Sequence, residues 1–337
     1  MKKTLIFTLL LSFLFLGCST KRQYFEPSDE NITGDLKFNG SLPSEIVAVS
    51  KDGATLQNGQ VISKNGLAAN VKLLKSEKFL GEYDGNFVIT DVNGTTKVAD
   101  SAGSIKFEKN LGRQALSANV KGDNLALVMS DDSIMLIKLS SGAVVLDHKV
   151  GDAFAIDSRV ASPLFINQLI AYPALDGLVS IAENVGGRSA RDFVVSNQPF
   201  FNNIIALENK GDNLYAVTAT RLMLVSPTGN KNHNVDIKDV IFNGDRIYLF
   251  LKDGRVELLD RGLNLIKSRK FTFAQFSGAL ISGGYLYIIE RNGYVIRTDE
   301  NLEGQAIYEL NDEVEDKSFI AGTSFYYDDK ILNFDAR

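Results

Sequence analysis

Apolar residues fall in short runs separated by turn-forming pairs, and this plan recurs along most of the chain. Residues 122–149, GDNLALVMSDDSIMLIKLSSGAVVLDHK, show it in full. Two apolar runs, 125–129 and 134–139, flank the pair Asp131-Asp132. After Ser140-Ser141-Gly142 a third run alternates, with Val144, Leu146 and His148 on one side and Val145, Asp147 and Lys149 on the other. The pattern predicts a three-stranded antiparallel meander. Strands that are apolar on both faces need cover on both faces, whereas an alternating strand is half-solvated. A sheet stacked between two like itself, with a wet outer edge, is a propeller blade.

The repeat can be followed by its central turns: Asn58-Gly59, Asn93-Gly94, Asp131-Asp132, Asp176-Gly177, Thr220-Arg221, Asp253-Gly254, Asn292-Gly293 and Asp328-Asp329. Asn-Gly and Asp-Gly supply the positive φ angles of tight hairpins. Their spacing, from the mid-thirties to the mid-forties, suits the roughly 40–50 residues of a four-stranded blade. The pattern predicts an all-β fold, an eight-bladed β-propeller of four-stranded antiparallel blades occupying 34–337 as one domain. The last repeat supplies only inner strands before the chain stops at Arg337. The unpartnered segment 35–40 (DLKFNG) is therefore expected to close that blade and remove an open edge.

The N-terminus is organised differently. Lys2 and Lys3 precede an apolar segment, 5–16, and Gly17 precedes Cys18, so 1–17 is read as an export signal. That segment is too short for a membrane span of about 20 residues. Cys18 is the only cysteine, so an intramolecular disulfide is excluded. Residues 18–33 are polar, include Pro27 and read as a flexible tether. Removing 1–17 takes away Lys2 and Lys3 and shifts the formal charge from −5 to −7. A mildly acidic body offers no electrostatic footprint for nucleic acid.

LFLGCS at 14–19 resembles the processing site of bacterial lipoproteins, with Phe15 where a leucine is usual. The resemblance implies lipidation of Cys18, and Ser19 implies sorting to the outer membrane. RVASPLFINQLIAYPALDGLVSIAENVGG (159–187) resembles the repeat of quinoprotein-like propellers, and 123–146 and 245–260 fit the same frame. With the lipoprotein start, the whole resembles the BamB-like outer-membrane assembly lipoproteins. That family implies a lipid-anchored periplasmic scaffold, docking on BamA-like periplasmic domains of the barrel-assembly protein and assisting nascent outer-membrane proteins. One departure stands out: the chain lacks tryptophan, which commonly ends the family repeat, and Leu146 takes that place in the third blade. Other aromatics are expected to fill the interblade space.

Catalytic chemistry is not indicated. Quinone binding in related enzymes uses a tryptophan floor, a vicinal disulfide and calcium, so no enzyme activity and no cofactor are expected. His148 and His233 are read as solvated, and no His/Cys/carboxylate spacing suggests a metal. Asp131-Asp132, Asp312-Glu313 and Asp328-Asp329 are read as turn residues because the spacing of a calcium loop is missing. Propeller rims are binding surfaces. The candidate partner-binding residues are Arg188, Arg191, Asp192, Asp212 and Asp245, with Arg188, Arg191 and Asp192 expected between strands of the fourth blade and the other two at inner turns. Two alternatives remain open: a glycan- or peptidoglycan-binding lipoprotein, with Tyr172, Phe200-Phe201 and Tyr326-Tyr327 as candidate aromatics, and a structural part of another envelope machine.

Overall fold

The computed structural model describes residues 23–335 except Asp316. Cys18 and the expected export signal, 1–17, lie outside the described residues. Among these residues, eight antiparallel blades form a ring, in chain order 46–72, 77–110, 115–149, 164–194, 206–234, 237–270, 276–310 and 318–333. Within each blade, strands a to d run outward from the axis, and a strands of neighbouring blades touch at most junctions, including blade 8 against blade 1.

The third blade shows why the sequence folds this way. Its strands are Ala115–Lys121, Asn124–Met129, Ser133–Lys138 and Val144–Lys149. Leu125, Leu127 and Met129 enter the core shared with blade 2, while Ala126 and Val128 enter the core shared with blade 4. A two-residue period with both faces covered explains the continuous apolar run. Eight such clusters fill the eight interfaces between neighbouring blades.

All eight turns read from the sequence join strand b to strand c. In five of them the glycine has positive φ: 84° at Gly59, 88° at Gly94, 94° at Gly177, 82° at Gly254 and 87° at Gly293. A Cβ on each would also lie within 2.9 Å of backbone in the connection that follows the blade. Left-handed backbone and close approach together select glycine there.

Ring closure departs from expectation. Gly40–Ser41 pairs antiparallel with Lys330–Asn333 and becomes the fourth strand of blade 8. Ile32–Leu36 instead pairs in parallel with Ala306–Leu310, adding a fifth strand to blade 7. The single expected closing strand, 35–40, is thus two strands on two blades. Leu36 and Phe38 explain the division, because both pack into the core between blades 7 and 8.

The tether is also shorter than expected. Phe25 is buried in the core between blades 6 and 7, with its ring 5.7 Å from Tyr294 in an edge-to-face contact. A short 3-10 turn follows at Asp29–Asn31. Docking of an apolar ring outweighs the polar composition around it. Phe25→Ala is expected to lower stability by about 2 kcal/mol, below the usual core value because the site lies at the periphery. An unchanged urea midpoint would show that this segment is not docked.

Tyrosines on the b strands help fill the interblade space. Tyr215 and Tyr248, on the b strands of blades 5 and 6, are fully buried. Their hydroxyls donate to the carbonyls of Arg261 and Glu300, both at 2.7 Å, in the c–d turns of the next blades. Tyr287, in the matching position of blade 7, packs on Phe334 at 4.5 Å. Each ring fills the interblade core while its polar tip is either satisfied or left at the edge. Leu146 packs between blades 3 and 4, as its place in the repeat suggested.

Candidate functional site

The meander places the b–c turns and the blade-to-blade connections on one face of the ring, called here the connection face. The a–b and c–d turns lie on the opposite face. Arg188 lies in the c–d connection of blade 4, and Asp212 and Asp245 lie in the a–b turns of blades 5 and 6, so these three share the opposite face. Asp245 pairs with Lys210. Arg191 and Asp192 lie within strand Ser189–Val194, opposite Ile181 and Ser180, rather than between strands. The Arg191 guanidinium sits 4.7 Å from the Phe193 ring.

The connection face carries an unusual set of exposed aromatics. Phe154 is 84% exposed, Phe200 58%, Phe201 57% and Phe273 45%. Phe154 belongs to the connection between blades 3 and 4, and Phe200 and Phe201 to the next one. These two connections are fastened together. Phe201 N–H donates to the Ala155 carbonyl at 2.8 Å, and fully buried Asn203 accepts from Asp157 N–H at 2.6 Å while donating to the Arg159 carbonyl at 2.9 Å. Phe201 and Phe273 have φ of 53° and 66°, in the left-handed region. That conformation costs a non-glycine residue about 1–2 kcal/mol, and neither ring recovers it through full burial. Strain combined with exposed apolar surface makes this face the candidate binding surface.

The other expected aromatics are not available on a rim. Tyr172 is fully buried and donates to the Met135 carbonyl at 3.2 Å. Tyr326 is buried, and the Tyr327 hydroxyl accepts from Glu315 N–H. Apolar interblade packing claims these rings.

A cleft of about 580 Å³ opens on the connection face between blades 6, 7 and 8. Lys252, Lys270, Phe273, Arg291 and Glu315 line it, together with Lys238 from the inner strand of blade 6. Two smaller spaces, of about 230 and 110 Å³, lie towards the axis. There Lys51 of blade 1 reaches Asp239 of blade 6 at 3.4 Å. Burial alone would raise the Asp239 carboxyl, but Lys51, the Val240 N–H and Arg159 bring it below its ordinary value. Arg159 also pairs with Asp157 and donates to the Lys238 carbonyl. Asp52, in the a–b turn of blade 1, accepts from Ser162 at 2.5 Å and from Tyr83 at 3.0 Å. Burial, then the Asp52 charge, pushes the Tyr83 hydroxyl well above its ordinary value. Polar contacts therefore tie blade 1 to the far side of the ring.

The histidines divide. His148 is exposed, as expected. His233 is not simply solvated: its Nε2 lies 2.7 Å from Glu257 Oε2, a buried carboxylate of blade 6 that also pairs with Arg255. No signal in the polar stretch NKNHN indicates that cross-blade partner. Among the described residues, no group of three or more His, Cys, Asp or Glu is placed to hold a metal. Nor is any helix there long and apolar enough to cross a membrane.

No family model matches the chain. It is 29% identical to the plasminogen-binding protein PgbB of Helicobacter pylori across 89% of its own length, and spans 63% of that protein. Among solved structures, BamB from Moraxella catarrhalis superposes with a TM-score of 0.69 at 15% identity, covering 88% of this chain and 98% of that one. Sqt1 from Saccharomyces cerevisiae gives 0.62 at 11% identity, covering 89% and 99%. At these identities the structural likeness establishes the propeller fold.

Proposed function

We propose that this chain is a protein-binding propeller of the bacterial envelope that docks its partner through the connection face. The carrying observation is the exposed set Phe154, Phe200 and Phe201 on two connections that are hydrogen-bonded to each other. Buried aromatic anchors dominate the energetics of protein interfaces, and rigid presentation reduces the entropy lost on docking. The chain acts by binding rather than catalysis.

In its finer form, the proposal is a scaffold anchored by lipid on Cys18 and docked on periplasmic domains of the barrel-assembly protein. The likeness to BamB and the LFLGCS start support it. Cys18 is only five peptide steps, with four residues between, from Gln23, which lines the cleft. An acyl group on Cys18 would therefore lie within about 18 Å of the connection face, the reach of a fully extended segment of that length. A second reading is capture of plasminogen, favoured by the likeness to PgbB.

The test compares binding of the mature chain to the barrel-assembly periplasmic domains and, separately, to plasminogen. Phe154→Ser/Phe200→Ser/Phe201→Ser is expected to weaken the authentic interaction at least about tenfold, equivalent to about 1.4 kcal/mol. Arg188→Glu/Arg191→Glu, away from this face, is expected to leave it unchanged. Loss only in the arginine variant would move the docking surface to the opposite face. Binding to neither protein would remove both partner readings.

A further inference from the structure

We infer that the cleft between blades 6, 7 and 8 is a binding site for a short carboxylate-bearing peptide segment. It is separate from the aromatic docking patch, which blades 3 to 5 carry.

Three lysines and one arginine line the cleft: Lys238, Lys252, Lys270 and Arg291. Asp253 and Glu315 are the carboxylates in its lining, and Asp253 is already engaged by Lys270 at 3.2 Å and Arg255 at 2.8 Å. Among the described residues, neither Lys238 nor Lys252 has a carboxylate oxygen within 4.0 Å. Removal from water, then the Arg159 charge, holds the Lys238 ammonium below its ordinary value; Asp239 and Asp157 oppose the shift in part and Lys252 adds to it. An entering anion would relieve this like-charge crowding.

The chemistry favours a carboxylate on a peptide. Lysines act as separate point charges, and no paired guanidinium fork converges on one spot as phosphate recognition often requires. Blade 6 supplies the three lysines and blade 7 the arginine. Phe273 adds an apolar wall at the mouth, in the left-handed conformation described above. The cleft volume of about 580 Å³ falls within the range of ordinary ligand sites. The net acidic charge of the chain disfavours long polyanions, so a short segment, with its negative charge confined to the cleft, fits best.

The test uses the full mature chain and a fluorescent, C-terminally amidated hexapeptide of two Glu-Glu-Phe repeats, with an amidated Gln-Gln-Phe counterpart as control, followed by anisotropy. Saturable binding of the acidic peptide is expected, at least about tenfold tighter than the neutral one and weaker as salt rises from about 50 to about 200 mM. Lys238→Gln/Lys252→Gln should reduce the affinity at least about tenfold without moving the melting temperature. Phe154→Ser/Phe200→Ser/Phe201→Ser should leave it intact, so failure of partner docking and failure of this site are distinguishable. Equal binding of both peptides, no binding of either, or full affinity in a folded lysine double variant would overturn the assignment. Displacement of the peptide by equimolar inorganic phosphate would also overturn it, identifying a general anion site instead.

Discussion

Deleting residues 23–41 is expected to leave a chain that no longer folds to a monomeric ring. The deletion removes both the fourth strand of blade 8 and the parallel strand on blade 7. Asn39 N–H donates to the Ile331 carbonyl at 2.9 Å, and the Asn39 side chain both donates to the Asn333 carbonyl and accepts from its N–H, at 3.0 and 2.8 Å. Leu36 and Phe38 disappear from the core between blades 7 and 8, and Phe25 from the core between blades 6 and 7. Each large apolar side chain contributes about 1.5–3 kcal/mol when fully buried. Several such losses approach the whole stability of a typical domain, about 5–15 kcal/mol. The same deletion exposes unpaired strand edges, which template aggregation. Size-exclusion chromatography and thermal unfolding check this directly: a soluble monomer with an unchanged melting temperature would contradict closure by these strands.

Replacing Asp132 by Asn is expected to stabilise the protein at pH 8 and have little effect at pH 4. Asp132 is 1% exposed, sits in the b–c turn of blade 3 and has left-handed backbone with φ 64°, which Asn tolerates. Its Oδ1 accepts from Leu175 N–H at 2.7 Å, whereas buried Oδ2 has no hydrogen-bond partner. Removal from water pushes its carboxyl up to about 7, with Leu175 N–H opposing the shift and the charges of Asp176 and Asp131 adding to it. A folded value above the unfolded one means that the native state binds more protons between pH 4 and pH 7. Stability from this group is therefore present at low pH and is lost as pH rises through about 7. The cost at pH 8 is about 2–4 kcal/mol after allowance for relaxation around the charge. Asn keeps the acceptor for Leu175 and removes that cost. Urea unfolding of both proteins at the two pH values tests this, and an equal stability difference at pH 4 and pH 8 would contradict it.

The eight-blade ring was legible because its signals are local. Gly59, Gly94, Gly177, Gly254 and Gly293 mark turns whose backbone demands glycine, and the runs between them carry the apolar faces of stacked sheets. Thr220-Arg221 carries a weaker signal, yet it too joins strands b and c in its blade. Partners distant in sequence left no such mark. Ile32–Leu36 joins blade 7 in parallel, so no tight turn announces the pairing. Phe25 looked like one apolar residue in a polar segment, and His233 like one base in a polar stretch. The tyrosine links between blades required knowing which b-strand residue faces which neighbouring turn. Residues were visible as exposed candidates at 200 and 201, but Phe154 and Phe273 became related to them only when the connections were brought to one face. The lysines of the cleft are separated along the chain and meet through the meander of blade 6, with Arg291 added from blade 7.

The proposed docking face can be read most directly in cells by placing a photocrosslinking amino acid at Phe154, Phe200 or Phe201, and on the opposite face at Val185 or Asp212. Covalent adducts with one identified envelope protein from the first set, and none from the second, are the expected result. Adducts confined to Val185 and Asp212 would contradict docking through the connection face.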